Sequence, residues 1–345
     1  MKSCYIIKPY QYEIRESEIR EPESRQVQIK MMASGVCGSD VHIFRGENPL
    51  CKYPLIPGHE NVGLVTKVGE DCRRLKVGDH VVVDLVISCG HCFPCRHGRR
   101  NMCESLRVRG SSADGGWREY WNVEEEFVYK IADQIPWKDG ALIEPLAIGE
   151  HAANRAGIEA DDTVFVLGSG TIGTILVQAC ALRGVQTVIC CSRNDETLQR
   201  ARLFGATHII NSKRENIPER VAEITEGHGV TVAFDAACYP GSLSSLFVPG
   251  LVGNAGRIVN MGFSPEPESI TQNDINKREI TLIGSRMSTG QFEPVAEKMA
   301  RGEYRLEGLA TNFFRFDEVE KVFHYMQYPD RAVKKMVILF DGAED

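Results

Sequence analysis

Four cysteines crowd one short stretch as Cys89-x2-Cys92-x2-Cys95-x7-Cys103. Four thiolates at that spacing suit a closed tetrahedral zinc site with no open coordination position, a centre that staples a loop and performs no catalysis. A four-iron cluster uses the same donors, but the bacterial ferredoxin run has three residues before its fourth cysteine and a proline after it. Here seven residues precede Cys103 and Glu104 follows it, which favours zinc. A second set is looser: Cys37 in Gly35-Val36-Cys37-Gly38-Ser39-Asp40, and His59-Glu60 after Gly58. One thiolate, one imidazole and one carboxylate leave a fourth position open, as a catalytic zinc requires. On spacing alone, an isolated cysteine and histidine are more often structural residues. Glu144 is an acid inside the apolar run Ile143-Glu144-Pro145-Leu146. A buried carboxylate needs a partner, and a metal or its bound water would provide one.

A third constellation concerns phosphate. Gly168-Ser169-Gly170-Thr171-Ile172-Gly173 follows the apolar run Thr163 to Leu167 and opens a helical one. In that context Gly168 permits a tight turn, Gly170 lets backbone approach a pyrophosphate, and Gly173 lets the helix pack close on the strand with its N-terminus toward the anion. A plain glycine turn in an α/β sheet is the weaker reading. The next strand is expected to end in an acidic residue about 20 positions on if it grips an NAD ribose. It ends Cys190-Cys191-Ser192-Arg193 instead. Ser192 removes the carboxylate that would repel a 2′-phosphate and Arg193 offers it a guanidinium, so NADP(H) is expected over NAD(H). The alternative is a solvent-facing Arg193, with Asp195 serving the ribose.

These residues need two kinds of scaffold. Short alternating or apolar runs broken by glycine, at Val27 to Met32, Gly63 to Val68, Asp79 to Val83 and Trp117 to Val123, predict an antiparallel β-rich domain with long loops. From about Asp161 the pattern becomes strand and helix in turn. Strands are expected at Thr163 to Leu167, Gln186 to Cys190, Thr207 to Ile210, Thr231 to Phe234 and Arg257 to Met261, with helices at Thr171 to Arg183 and Glu196 to Phe204. Such alternation means βαβ units and a parallel sheet, so the fold class is α/β. After about Ser285 a helix (Phe292 to Arg301), a strand (Phe313 to Phe316), a helix (Asp317 to Met326) and a last strand (Val333 to Phe340) could return to the first domain. Boundaries are expected near 146 and 285.

Composition narrows the function classes. Over 345 residues, 43% hydrophobic and 25% charged content is that of an ordinary globular chain. Forty Lys and Arg against 47 Asp and Glu, a formal net charge of −7, argue against a nucleic-acid or anionic-membrane binder and leave a small molecule as partner. Met1 to Tyr10 holds no secretory apolar region, and no window approaches the ~18 apolar residues of a membrane span, so a cytoplasmic protein is expected. Of the 12 cysteines, Cys4, Cys51, Cys72, Cys180, Cys190, Cys191 and Cys238 read as reduced filler.

GVCGSD, PGHE, the four-cysteine lobe, ALIEPLA and GSGTIG occur in one order, and over essentially its whole length the chain resembles the medium-chain, zinc-dependent alcohol and polyol dehydrogenases. The resemblance implies a GroES-like catalytic domain from residues 1–145 and 286–345, with a zinc lobe at about 88–104, and a Rossmann dinucleotide-binding domain at 146–285. It implies a catalytic zinc on Cys37, His59 and Glu60, with Glu144 near enough to exchange with water as a ligand, and a structural zinc in the lobe. Glu60 together with Glu144 is similar to the sorbitol and threonine dehydrogenase branch. Within that branch the chain resembles bacterial dehydrogenases of L-gulonate, L-galactonate or L-idonate, and a starvation-sensing group. Ser39 matches the family's hydroxyl relay, from which His42 could pass a proton to solvent; His42 reads equally as a packing residue on a short helix. Arg286 matches a substrate-contacting arginine of the polyol branch, but Met287 stands where tyrosine is usual, which suits a carboxylate better than a neutral polyol. Arg45, Arg109 and Arg118 read as cleft residues or as solvated surface charges. A homo-oligomer, dimer or tetramer, is also implied. The rivals are an NAD-dependent neutral polyol or threonine-type dehydrogenase, a non-enzymatic nucleotide-binding sensor of the same fold, and a quinone-type reductase, which normally lacks both zinc sites.

Overall fold

Strand β1 (Lys2–Lys8) turns through Pro9 and Tyr10, the latter at φ 61°, into antiparallel β2 (Gln11–Glu16). This hairpin is not signalled by the sequence, because β2 is mostly exposed and lacks a clean alternation. The spine is β3 (Gln26–Val36), buried along almost its whole length. It feeds the helix Gly38–Arg45 and pairs antiparallel with β4 (Glu60–Val68). Next come β5 (His80–Val83), the two-residue strands β6 (Val86–Ile87) and β7 (Arg107–Val108), then β8 (Tyr120–Glu124) and β9 (Val128–Lys130). The strand expected from Trp117 starts at Tyr120. The Trp117 backbone is taken by Cys4 and Pro57 instead of β3, and its fully buried ring lies where a side chain on Gly58 would stand, 2.1 Å from the added carbon.

The helix Ile143–Ala156 leads into the parallel sheet; Pro145 lies in its first turn, where a missing N–H costs nothing. The strands are β10 (Thr163–Leu167), β11 (Thr187–Ser192), β12 (His208–Asn211), β13 (Val230–Asp235), β14 (Val252–Asn260) and β15 (Thr281–Gly284). All pairings are parallel, in the order β12-β11-β10-β13-β14-β15. The strand order reverses between β10 and β13, the switch point where doubly wound sheets bind nucleotides. Phe165, Ile189, Ile210, Ala233 and Ile258 sit in its core with Ile217, Val221 and Ile224 of the helix Ile217–Ile224 and Leu243 of Ser242–Ser245, while the helices Thr171–Ala181 and Asp195–Leu203 follow β10 and β11.

The closing segment adds β16 (Asn312–Arg315), the helix Val319–Gln327 after a single 3-10 turn, and β17 (Met336–Leu339). β17 pairs antiparallel with β3, giving the seven-stranded sheet β16-β17-β3-β4-β5-β9 with β8 also on β3. Its core includes Ile29, Met31, Val65, Val81 and Ile338. Phe323 on the last helix stacks on Tyr12 of β2 at 4.0 Å and meets Phe44 and Trp117 edge-on or tilted, so the first hairpin and the last helix share one aromatic cluster. The protein, a computed structural model describing residues 1–329 and 333–343, divides into two units: Met1–Glu144 with Thr289–Asp345, and Pro145–Ser288. Among the described residues no disulfide forms, and no helix is long and apolar enough to cross a membrane.

Backbone crowding at the β10 turn makes a stability prediction. A Cβ on Gly173 would stand 1.9 Å from the Gly168 carbonyl oxygen, whereas one on Gly170 meets nothing within 4 Å. Gly173→Ala is expected to cost about 1–3 kcal/mol in urea unfolding, and Gly170→Ala less than about 1 kcal/mol. Equal costs would mean that close helix–strand packing does not set the first glycine requirement.

Candidate metal centres and dinucleotide site

Three short pieces of backbone converge at the carboxyl end of β3. Cys37 follows that strand and caps the helix Gly38–Arg45, while His59 precedes β4, whose first residue Glu60 pairs with Gly35. One ligand atom from each of Cys37, His59 and Glu60 lies within 4.8 Å of the others. Behind them sits Asp40, fully buried in the first helical turn. Its carboxylate accepts the backbone N–H groups of Cys37 at 2.9 Å and Gly58 at 3.3 Å, and lies 3.7 Å from His59 Nδ1. At that distance the carboxylate acts on the Nδ1 side of the imidazole through charge and not through a hydrogen bond. Sequence reasoning passed over Asp40, although its spacing, three residues after Cys37 at a helix start, puts both on one face.

The electrostatics describe a site crowded with anions. Burial pushes the Asp40 carboxyl up, against the pull of His59. Burial would lower His59, but Asp40, Cys37 and Glu144 outweigh it and hold the imidazole well above its usual value. Glu144, in the first turn of Ile143–Ala156, is buried and driven up to about 7, first by desolvation and then by Glu60, against His59. It stands near the cluster without belonging to the set within 4.8 Å. Glu60 gives Oε1 to Lys335 Nζ, while its buried Oε2 has no hydrogen-bond partner. A Cβ on Gly35 would come 1.8 Å from that orphaned oxygen, so the glycine makes its space. An unpartnered carboxylate oxygen beside a cysteine and an imidazole is a donor set that fits zinc.

The second cluster is a lobe closed by the β6–β7 ribbon. Gly90, at φ 76°, turns the chain straight after Cys89, the short helix Phe93–Arg96 carries Cys95, and a 3-10 turn delivers Cys103. The four sulfurs lie within 4.8 Å of one another. Backbone N–H groups point at them, Cys89 N–H at Cys103 Sγ (3.3 Å) and Cys92 N–H at Cys89 Sγ (3.4 Å). Desolvation opposes ionisation of Cys103, but the Cys89 and Ser105 donors prevail and bring it down to about 6; burial and its neighbours push Cys95 up to about 12. Four thiols this close compete for ionisation, and only a shared cation lets all of them be thiolates.

In the parallel unit the glycine loop follows β10. Gly168 has φ 105°, and a Cβ there would clash with the Ala236–Ala237 backbone at 2.9 Å. Gly170 caps the helix that begins with Thr171, Ile172 and Gly173, and the space above it is open. Ser192 is the last residue of β11, and exposed Arg193 lies over the Tyr239 ring at 6.0 Å. Asp195 is occupied: it accepts from Asn211 Nδ2 at 2.7 Å and from Arg214. Arg286 follows the end of β15 and stands over Phe263 at 5.2 Å, flanked by the buried, unpartnered hydroxyls of Ser285 and Ser288. The glycine loop, Ser192 and Arg286 thus share the carboxyl edge of one sheet, where ligands of doubly wound folds bind.

Residues 23–133 match the alcohol dehydrogenase GroES-like domain and residues 171–301 the zinc-binding dehydrogenase family. The starvation-sensing protein RspB of Escherichia coli K12 is 37% identical over 341 residues, 99% of each chain. The chain belongs to the medium-chain zinc alcohol and polyol dehydrogenase family. A sorbitol dehydrogenase of Bacillus subtilis is 30% identical, covering 98% of this chain and 97% of that one. An L-idonate 5-dehydrogenase of Vitis vinifera is 29% identical over 90% and 87%. Among solved structures, an rspB alcohol dehydrogenase of Escherichia coli CFT073 complexed with NADH superposes with TM-score 0.93 at 37% identity, covering 99% of both chains. A zinc-binding dehydrogenase of Sinorhizobium meliloti 1021 bound to NADP gives TM-score 0.91 at 29% identity, covering 98% of both. As a member of this family the protein is a zinc, NAD(P)-dependent oxidoreductase of CH–OH groups, with a GroES-like and a Rossmann-type part.

Two expectations about this dehydrogenase change on inspection. Arg109 is no solvated surface charge: its side chain, 4% exposed, donates to the Asp84 carbonyl and to Glu124 and lies over Trp121 and Phe127. Arg118 is likewise largely covered, against Asp114 and Trp121, and Arg45 donates to the Met326 carbonyl. His42 is no packing residue either: 63% exposed on its helix, it holds Glu47 Oε2 through Nδ1 at 2.6 Å. Ser39 lies half-buried in the first turn of the same helix. We predict that Asp40→Asn weakens metal retention at the Cys37 cluster by about 10–100-fold without touching the four-cysteine lobe. Zinc per chain after graded chelator dialysis measures it, and retention equal to the unaltered protein would remove Asp40 from the centre.

Proposed function

We propose that this dehydrogenase transfers a hydride between NADP(H), in preference to NAD(H), and a secondary hydroxyl of a polyol or sugar acid, an aldonate such as gulonate, galactonate or idonate. The observation that supports it most is the cluster of half-buried Cys37 with buried His59 and Glu60, the Oε2 of Glu60 having no hydrogen-bond partner among the described residues. In this reading Cys37, His59 and Glu60 hold a catalytic zinc with Glu144 beside it, and Cys89, Cys92, Cys95 and Cys103 hold a structural one. When bound, zinc supplies Lewis acidity that lowers the pKa of a substrate hydroxyl, and the nicotinamide supplies the hydride acceptor.

The chain's own residues do the rest. Asp40 acts on the His59 ring through its charge on the Nδ1 side. Ser39 Oγ takes the hydroxyl proton and passes it outward, and His42, its Nδ1 turned to Glu47, receives it at Nε2 on the solvent side. Gly168, Gly170, Thr171, Ile172 and Gly173 present backbone N–H groups to the pyrophosphate. Ser192 and Arg193 accommodate a 2′-phosphate, and the engagement of Asp195 Oδ1 with Asn211 and Arg214 supports that choice, since it turns one oxygen of that carboxylate away from a ribose diol. Arg286 offers a planar fork to a substrate carboxylate. The likeness to an L-idonate 5-dehydrogenase and a sorbitol dehydrogenase supports the substrate class. A second reading, NAD(H) use, is favoured by the NADH in the rspB structure.

Initial rates with hexonates, pentitols and hexitols, each with NADP+ and NAD+ and again after chelation of exchangeable zinc, test the proposal. A sugar acid turned over with NADP+ and lost on chelation is the expected result. Silence across the panel with intact nucleotide binding would overturn the substrate class and turn attention to a sensor of the same fold. Ser192→Asp is expected to shift the NADP+ to NAD+ ratio of kcat/KM by at least about tenfold toward NAD+, corresponding to roughly 1.4 kcal/mol. An unmoved ratio would show that the β11 end does not read the 2′ position.

A further inference from the structure

Lys335 stands at the Cys37 cluster although it belongs to none of the sequence motifs. It comes just before β17, whose register with β3 sets Met336 opposite Val36, so Lys335 stands beside Cys37. Glu60 reaches the same place from the other flank, opposite Gly35. The two side chains therefore approach each other from strands on either side of β3, over the residue of that strand with no side chain. The ammonium and carboxylate are 5% and 1% exposed, and Lys335 Nζ takes Glu60 Oε1 as its single hydrogen-bond acceptor among the described residues.

A buried ion pair of this kind gains little stability over an apolar pair of equal volume, because desolvating both charges offsets their attraction. Its effect on the shape of the charge is larger. A free carboxylate gives a metal either one oxygen or two, and this one has been split: Oε1 is committed to an ammonium and Oε2 is bare. We propose that Lys335 is a positioning residue for the metal centre, holding Glu60 to a single donor oxygen so that three protein ligand atoms, and not four, surround the metal. The fourth position then stays available to the substrate hydroxyl. This rests on the reading of Cys37, His59 and Glu60 as metal ligands, and adds to it what limits their number.

The inference predicts a sign that loss of structure would not. Without Lys335, Glu60 is free to chelate through both oxygens, and a repelling cation is gone, so metal should be held more tightly. In the full-length protein, Co2+ exchanged into this centre, with zinc left in the cysteine lobe, reports coordination number through its visible d–d band, which is intense for four-coordinate and weak for five-coordinate ions. The unaltered protein should show the intense band. Lys335→Met should weaken it several-fold and slow chelator-driven Co2+ loss by about tenfold, at the low end of what second-layer changes do to metal affinity. Lys335→Arg should restore both, and Lys335→Gln serves if the methionine variant does not fold. A weak band in the unaltered protein, or a neutral variant with an unchanged band or faster loss, overturns the role of Lys335. One metal per chain in the unaltered protein, all of it in the lobe, overturns the metal reading itself and the inference with it, an outcome set apart by stoichiometry alone.

Discussion

Charge removed from water must be paired, and the β-rich unit is arranged around that requirement. Asp40, His59, Glu60, Glu144 and Lys335 are all buried beside Cys37. Any one alone in an apolar interior would cost several kcal/mol or would neutralise itself. The chain's solution is mutual: Asp40 faces His59, Lys335 faces Glu60, and backbone N–H groups of Cys37 and Gly58 take up what remains of Asp40. One oxygen escapes the pairing, and it belongs to the cluster whose donor atoms converge. The strands serve the same end. β3 bears Gly35 and leads into Cys37, while β4 opens with Glu60 and Lys335 comes just before β17. Gly35 is required because the carboxylate occupies the volume of its missing side chain.

The parallel unit works by the opposite means. At its carboxyl edge the glycine loop supplies shape and backbone dipoles in place of buried charge. Gly168 and Gly173 are forced by contacts with backbone, which cannot yield, whereas Gly170 is set against open space. Two of the three glycines thus belong to packing, and the third is left free for the ligand. The polar side chains Asp195 and Arg193 near the loop are exposed and tied to neighbouring strands: Asp195 to Asn211 at the end of β12, Arg193 to Tyr239 after β13. In the proposed reading, selectivity between nicotinamide cofactors falls to a few solvent-facing side chains and not to the core.

What could be read in the sequence follows from this division. Parallel strands buried on both faces appear as short apolar runs, so β10 to β14 were found to within a few residues. The cysteine lobe and His59-Glu60 are contiguous, and contiguity is what a motif records. Lys335 lies 275 positions from Glu60, in a run of mixed charge and apolar residues that looks like any edge strand. Asp40 was hidden by the more familiar residues on either side of it. The hairpin β1–β2 escaped because its outer strand is exposed, and the helix Ile143–Ala156 because Pro145 reads as a break although it sits harmlessly in the first turn. Arg109 stayed undecided between cleft and surface for a different reason: burial of an arginine is decided by Trp121, Phe127 and Glu124, which no spacing rule connects to it.

The position of Lys335 also constrains how the molecule reaches its final form. The β-rich unit is discontinuous: its sheet is complete only when β16 and β17 join β3, after the whole of Pro145–Ser288 has intervened. Until then β3 presents an unpaired edge, which invites wrong pairing, and Glu60 lacks the cation that balances it. The parallel unit is built from contiguous chain and need not wait. Order of synthesis therefore lets the dinucleotide fold form ahead of the completed Cys37 cluster, since closing a pairing across some 300 residues is entropically the slower step. The aromatic contact of Tyr12 with Phe323 spans the same interval and faces the same delay. Both the last piece of the metal cluster and the last piece of the core arrive with one C-terminal segment, so the site cannot be completed before the fold that encloses it.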